Sequence, residues 1–293
     1  MLHASTSART LAFARIWIFA MCWGDVVREP TQQLVGIPFA YVVRIGPLAL
    51  LPPAWFAAVY TPSFLVGLKL SLAVLLLACV AGVPRFRAVA VAACLLLTVH
   101  HALVRSVGHL NHGELAMVYG AYILAVSPSA DRWSLAALGR RHDEVPRSDA
   151  RYAAPMVWIT LVFCLTYTFT GAHRLAMSGP GIFVDGSAIG MVLQAAMQPG
   201  IYGHAHGTGF LTTAAGHTAL TAGFIYTTIF EILAPVCLFW PRFRWVWVLS
   251  IVGMHVTTWL VMQLLFFHNL VLMPLVMLDL EWWRERLQGP FRW

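Results

Sequence analysis

Charge is scarce in this chain. Asp, Glu, Lys and Arg make up 11% of its 293 residues against 59% hydrophobic, and Lys69 is the only lysine. So little polar surface cannot coat a water-soluble globule of this size, and a mean hydropathy of +0.73 names the bilayer as the solvent instead. Cysteine pairs are also missing. The five cysteines (Cys22, Cys79, Cys94, Cys164, Cys237) fall inside apolar runs with no Cys-x-x-Cys among them, which excludes a disulfide framework and a thiolate metal site. They read as small buried hydrophobes. No His-Glu-x-x-His run, basic helix or zinc-finger spacing is present, so neither a metalloprotease helix nor a nucleic-acid partner is encoded. The net charge of +7 then needs another explanation, and basic loops between apolar spans supply it. Internal repeats and low-complexity tails are absent as well.

Apolar windows are abundant. A span takes about 20 apolar residues, and on that basis the sequence predicts an all-α, polytopic transmembrane helical bundle with spans near 8–25, 63–83, 86–104, 114–127, 152–172, 217–240, 243–262 and 264–280. The fourth and eighth windows are short and the last two nearly merge, so the count of eight carries a range of seven to nine. The first window is an uncleaved span and not a signal peptide, because Trp17, Met21, Cys22 and Trp23 continue without a small-residue cleavage site. Stretches 26–62 and 173–216 are rich in Gly and Pro and read as interfacial or re-entrant segments. The expectation is one domain over 1–293, with no soluble C-terminal domain because the chain ends at Trp293.

The arginines set the orientation. With the N-terminus inside, Arg9, Arg85, Arg87, Arg132, Arg140, Arg141, Arg147, Arg151, Arg242, Arg244, Arg284, Arg286 and Arg292 fall on the cytoplasmic side. Only Arg28, Arg44, Arg105 and Arg174 fall outside, a positive-inside bias of thirteen to four that puts both termini in the cytoplasm. Arg15 and Lys69 are left within spans. Histidines show the opposite bias: His100, His101, His109, His112, His173, His204, His206, His217 and His268 map to the outer side, His255 to mid-span, and His3 and His142 inside. The bland reading is polar residues scattered through a thick outer cap; the sharper one is an outward-facing basin for proton transfer or a metal. His204-x-His206 says little for metal, since residues two apart on a helix do not face each other.

Polar groups within the bilayer cost several kcal/mol unless paired. Glu231 is the only acid deep in a span and Lys69 the only lysine. On the structural reading Lys69 snorkels and Glu231 bonds a neighbouring helix; on the functional one each serves as an acid or base in an apolar pocket.

Residues 104–136 carry a recognisable pattern: Arg105-Ser106-Val107-Gly108-His109-Leu110-Asn111-His112, an apolar helix with Tyr119-Gly120, Ser127-Pro128, then Asp131-Arg132-Trp133-Ser134-Leu135. It resembles the central signature of the HTTM family, the membrane core of vitamin-K-dependent gamma-carboxylase. Tyr167-Thr168-Phe169-Thr170-Gly171-Ala172-His173-Arg174-Leu175 resembles that family's Tyr-x-x-x-Gly-x-x-Lys-Leu segment, and His255 with the aromatic run 264–269 (including His268) falls where the family has its late His and Phe-rich helix. The likeness runs from about Thr10 to Trp283.

In the carboxylase the lysine of that segment acts as the base on vitamin K hydroquinone, and the histidine of the Asn-His pair supports it. The resemblance therefore implies a reduced quinone such as vitamin K hydroquinone as cofactor, an extracytoplasmic active face, and His112, His173, Arg174 and Lys69 as catalytic candidates. Asn111, Tyr119, Glu231, His255 and His268 would line the substrate pocket. One departure matters: Arg174 stands where the family has lysine, and a guanidinium stays charged and cannot serve as a base. His173 or Lys69 would have to take over, with Arg174 left to hold a developing anion.

The leading functional reading is a membrane enzyme of HTTM type in the cell membrane, acting on an apolar, quinone-like molecule or modifying an exported peptide or protein. Membrane lipids are its immediate partners. The alternatives are a non-enzymatic membrane protein (a transporter, immunity factor or peptide-maturation factor) and a metal or haem handling protein. Transporters commonly show inverted repeats, and none is visible here.

Overall fold

A computed structural model of the chain describes residues 6–38, 41–106, 114–138, 150–179, 190, 209, 212–262 and 266–278. Among these residues the protein is all-helical, without strands. Five helices are long and apolar enough to cross a membrane: Ala8–Arg28, Pro62–Ala81, Phe86–Arg105, Ala150–Ala176 and Arg242–Met262. Leu115–Val126 and Phe267–Met277 are apolar but shorter. These apolar helices are compatible with an integral membrane protein, and each falls on a window that the sequence predicts.

The chain forms two compact units, whose boundary lies between Ile159 and Thr160. In the first, α1 (Ala8–Arg28), α3 (Pro62–Ala81), α4 (Phe86–Arg105) and α5 (Leu115–Val126) close a ring in which α1 and α4 each pack against α3 and α5. Local chemistry sets the helix ends. Ser7 caps α1, its Oγ accepting from the amides of Arg9 and Thr10. Gly82 ends α3 in the left-handed conformation at φ 63°, which glycine adopts without strain.

The described residues of segment 29–60 cover one end of this ring with short pieces: 3-10 turns at Thr31–Gly36 and Gly46–Leu50, and helix α2 at Pro53–Val59. Seven residues of helix rise about 10 Å, a third of a hydrocarbon core, so none of these described pieces is long enough to span. Its apolar residues Leu34, Leu48, Phe56 and Tyr60 pack with Leu65 and Leu68 of α3 and Ala102 and Leu103 of α4. The Tyr60 hydroxyl donates to the Leu34 carbonyl at 2.8 Å, and burial raises its pKa.

Arg15 closes the opposite end. Its side chain is fully buried, and its guanidinium donates to the carbonyls of Ser129 (3.2 Å), Val80 (3.4 Å) and Trp133. The Ala136 amide also donates to Gly82 at 2.9 Å. One cation thus ties α1 to the α3–α4 turn and to the Ser127–Leu135 signature that follows α5. No acid pairs with it among the described residues, and the charge stays buried because carbonyl dipoles replace its water.

In the second unit, α6 (Ala150–Ser178, whose first ten residues belong to the first unit) is followed by α7 (Ala214–Ile232), α8 (Val236–Phe239), α9 (Pro241–Met262) and α10 (Phe267–Met277). Where the sequence predicts a single span over 217–240, the helix stops at Ile232 and a short α8 follows. Pro235 explains the break: it has no amide to donate, and its ring disfavours helical geometry at Ala234. At 19 residues α7 is long enough to span, but its Gly, Thr, His and Glu residues keep it out of the five helices that are both long and apolar enough to cross a membrane. Arg244 and Trp247 of α9 lock onto the preceding chain, donating to the carbonyls of Cys237 and Phe230, each at 2.8 Å.

Two glycines separate packing from propensity. A Cβ at Gly82 would lie 2.4 Å from Nη1 of Arg15 and 2.4 Å from Cβ of Ser134, on a backbone with positive φ. A Cβ at Gly67, mid-helix in α3, would meet nothing within 4 Å. Gly82→Ala should therefore lower stability by about 2–4 kcal/mol, while Gly67→Ala should be neutral or stabilising by about 0.5–1 kcal/mol. Unfolding midpoints of the two variants in a mixed-micelle denaturant titration would check the contrast.

Candidate functional site

The α6–α7 contact is written into helical spacing. Tyr167, Gly171 and Arg174 stand at i, i+4 and i+7 of α6, and Phe224, Thr228 and Glu231 repeat that spacing on α7, so each trio forms one stripe. The stripes meet antiparallel: Leu175 packs with Leu220 and Phe224, and Gly171 lies against Thr228, Glu231 and Ile232. Gly171 is what permits the approach, since a Cβ there would lie 3.0 Å from Cβ of Glu231, 3.0 Å from Cγ1 of Ile232 and 3.1 Å from the Thr228 carbonyl. Small residues at such crossings let helix backbones come close in apolar surroundings.

That closeness brings Arg174 onto Glu231. Nη1 lies 2.9 Å from Oε2, and Nη2 donates to Oε1 at 3.4 Å. Nη1 also donates to the Thr228 hydroxyl at 3.1 Å, whose own proton goes to the Phe224 carbonyl at 2.9 Å. The guanidinium carbon sits 4.7 Å from the Phe224 ring centroid, a cation–π distance. The glutamate side chain is 4% exposed and the arginine 21%, so the carboxylate is enclosed while the guanidinium keeps an open edge. Oε2 has Nη1 close by but no donor in hydrogen-bonding line, which leaves a lone pair uncommitted.

Two turns earlier on the α6 stripe, Tyr167 bonds His255 of α9, its hydroxyl 2.7 Å from Nε2. Both side chains are buried. Trp247 meets the tyrosine edge-on at 5.2 Å and Phe266 lies 5.0 Å from the imidazole. Nδ1 of His255 has no hydrogen-bond partner among the described residues. The α6 face therefore carries an ion pair and a phenol–imidazole pair about two turns apart.

A second polar cluster sits in the four-helix unit, at the end where α1 finishes. Lys69 donates to the Glu29 carbonyl at 2.6 Å, a cation on the C-terminal carbonyls of α1. The Thr31 hydroxyl lies 3.1 Å from Nε2 of the buried His100. Glu114 takes both His101 (3.3 Å) and Arg105 (2.6 Å). Burial raises the pKa of the Glu29 carboxyl, helped by repulsion from Glu114 and Asp25 and opposed by Arg28 and Lys69.

Of the residues singled out from sequence, Arg174 and Glu231 pair on the second unit, and His255 bonds Tyr167 about two turns away on the same face of α6. His173 does not join them: one residue along a helix turns about 100°, and its side chain is exposed on another face of α6. His268 is half-buried at the start of α10 beside Phe267, Lys69 belongs to the cluster on the first unit, and Tyr119 is 52% exposed on α5. Asn111 and His112 lie outside the described residues. Sequence reasoning named Gly171 and Tyr167 only as parts of a motif and overlooked Phe224 and Thr228. The i, i+4, i+7 register around Glu231 is the signal that finds them. Compared with protein-family profiles, curated proteins and solved structures, the chain matches none.

Two measurements test the energetics. Gly171→Ala should cost about 1–3 kcal/mol by forcing α6 and α7 apart, and Gly223→Ala, where a Cβ meets nothing within 4 Å, should cost nothing. A thermal-unfolding comparison of the two variants in detergent decides this. Glu29 supplies the pH dependence. Because its folded pKa is raised above 4.5, its contribution to stability is fully present below 4.5 and is lost as pH rises through the folded value. Glu29→Gln should flatten the fall of the melting midpoint over that interval; an unchanged profile would show that the carboxyl is not held in a disfavoured charged state.

Proposed function

We propose that the chain is a membrane enzyme of HTTM type, acting at the extracytoplasmic face on a lipid-soluble, quinone-like molecule that enters between helices. The observation that carries this reading is the α6 stripe: the segment resembling the family's Tyr-x-x-x-Gly-x-x-Lys-Leu run presents Tyr167, Gly171 and Arg174 on one face, with a buried acid opposite. The spacing thus has a physical purpose: aromatic anchor, close approach, charge. In this reading the bundle has eight spans, both termini are cytoplasmic, and α6 runs outward, so that Arg174 reaches the outer half. The thirteen-to-four arginine distribution supports that orientation. His112 relays a proton and Arg174 steadies the anion that forms; His173, exposed on another face of α6, does not reach that anion directly. An exported peptide or protein is the second substrate class that suits an outward-facing site.

Orientation and chemistry have separate tests. A cysteine introduced at position 143 should resist an impermeant maleimide applied to intact cells; labelling there would invert the placement. For the chemistry, the purified full chain is assayed for vitamin K hydroquinone-dependent epoxidation. Arg174→Lys restores a group able to release its proton and should raise the rate at least about tenfold above the native chain, on the order of 1.4 kcal/mol in barrier. A native rate that Arg174→Lys leaves unaltered would remove this wall of α6 from the reaction.

A further inference from the structure

We infer that Glu231 is the proton acceptor of the α6–α7 site, that Arg174 is its positioning residue and permanent counter-cation, and that the molecule bound there is an apolar compound bearing one acidic hydroxyl. The inference deepens the proposed function and rests on its reading of this wall as the reactive one; the role of Glu231 comes from geometry.

Arg174 cannot release a proton, yet it occupies the motif position where an acid–base group is expected. The group that can exchange a proton is the one it holds. Glu231 is buried, its Oε1 receives Nη2, and its Oε2 lies 2.9 Å from Nη1 without an in-line donor. Oε2 is itself enclosed, so a hydroxyl meeting the open edge of the guanidinium reaches that lone pair as the guanidinium turns aside. Apolar groups flank it: Phe224 lies under the guanidinium, and Leu175 and Leu220 pack against Phe224. Thr228 offers no competing proton, because its own is given to the Phe224 carbonyl.

The step balances in protons and charge. The ligand O–H bond breaks heterolytically and its electron pair stays on the ligand oxygen. The proton forms a new O–H bond at Oε2 of Glu231. The site holds one cation and one anion before and after: Arg174 pairs with carboxylate at the start and with the ligand oxyanion at the end. A single fixed charge therefore serves both states, and no ion is left bare in an apolar wall, where it would be costly. The carboxylate need only rotate away from Nη1 as it is neutralised.

The probe is 4-nitrophenol, whose anion absorbs in the visible, added to the full chain in weakly buffered detergent about one pH unit below the probe's own ionisation. The native chain should show the anion band saturating at one equivalent, a new protonated-carboxyl stretch in the infrared difference spectrum, and no proton released to the medium. In Glu231→Gln the carboxyl stretch should vanish, and any anion still held by Arg174 should appear with one proton released per site. Arg174→Gln should weaken the anion band at least about tenfold. A native chain that releases one proton per bound anion, or that forms no anion band, overturns the inference without recourse to any variant. Hydroquinone turnover distinguishes the two readings. If it is absent while the proton count holds, the proposed reaction fails and Glu231 stands; if it is present and unchanged in Glu231→Gln, the role of Glu231 alone fails.

Discussion

Every buried cation in an apolar protein needs something in place of water, and Arg15 shows how far that requirement organises the first unit. Its guanidinium is spread over carbonyls from two chain turns far apart in sequence, Val80 on one side and Ser129 and Trp133 on the other. Those carbonyls have no helical amide to accept from at the ends of their elements. The cation and the chain ends solve each other's problem. The arrangement also dictates small and strained residues nearby: Gly82 at φ 63° leaves room for Nη1, and Trp133 is held at φ 48°.

Arg174 meets the same requirement by another route. Arg15 is enclosed by fixed backbone dipoles, which cannot change charge, whereas Arg174 is held chiefly by a carboxylate, which can. The first arrangement fits a staple and the second a place where protonation has a consequence. Lys69 belongs with the staples, because its ammonium caps the carbonyl end of α1 at Glu29. The three bases drawn from one apolar sequence thus separate by the chemistry of their acceptors.

Much of the fold was legible in advance. Windows near 8–25, 63–83 and 86–104 meet helices Ala8–Arg28, Pro62–Ala81 and Phe86–Arg105, because spans must be both long and apolar and few other segments are. The failures have definite causes. A window over 217–240 averages across Pro235, so hydropathy runs smoothly through a point where the backbone cannot. Arg15's partners were invisible, since a carbonyl acceptor belongs to every residue and leaves no mark in a sequence. At the site, Glu231 stands out as a rare acid and Arg174 by its place in the motif, but their pairing depends on Gly171, and a glycine is ambiguous until its neighbours are known.

His173 and Arg174 show where motif reading and helix geometry part. Adjacent in sequence, both are catalytic candidates on the resemblance, although neighbours on a helix point about 100° apart. The face of α6 that carries Arg174 also carries Tyr167 and Gly171, and all three meet groups on α7 or α9. His173 is exposed on another face. Any chemistry on this wall must therefore draw its proton acceptor from α7 or α9, and of the groups that those helices offer to the stripe, Glu231 touches the cation and His255 touches the phenol. The Arg174–Glu231 pair has the exchangeable carboxylate next to an open edge. The Tyr167–His255 pair is closed in by Trp247 and Phe266, so its part is to hold α6 against α9 and keep the stripe aimed at the carboxylate.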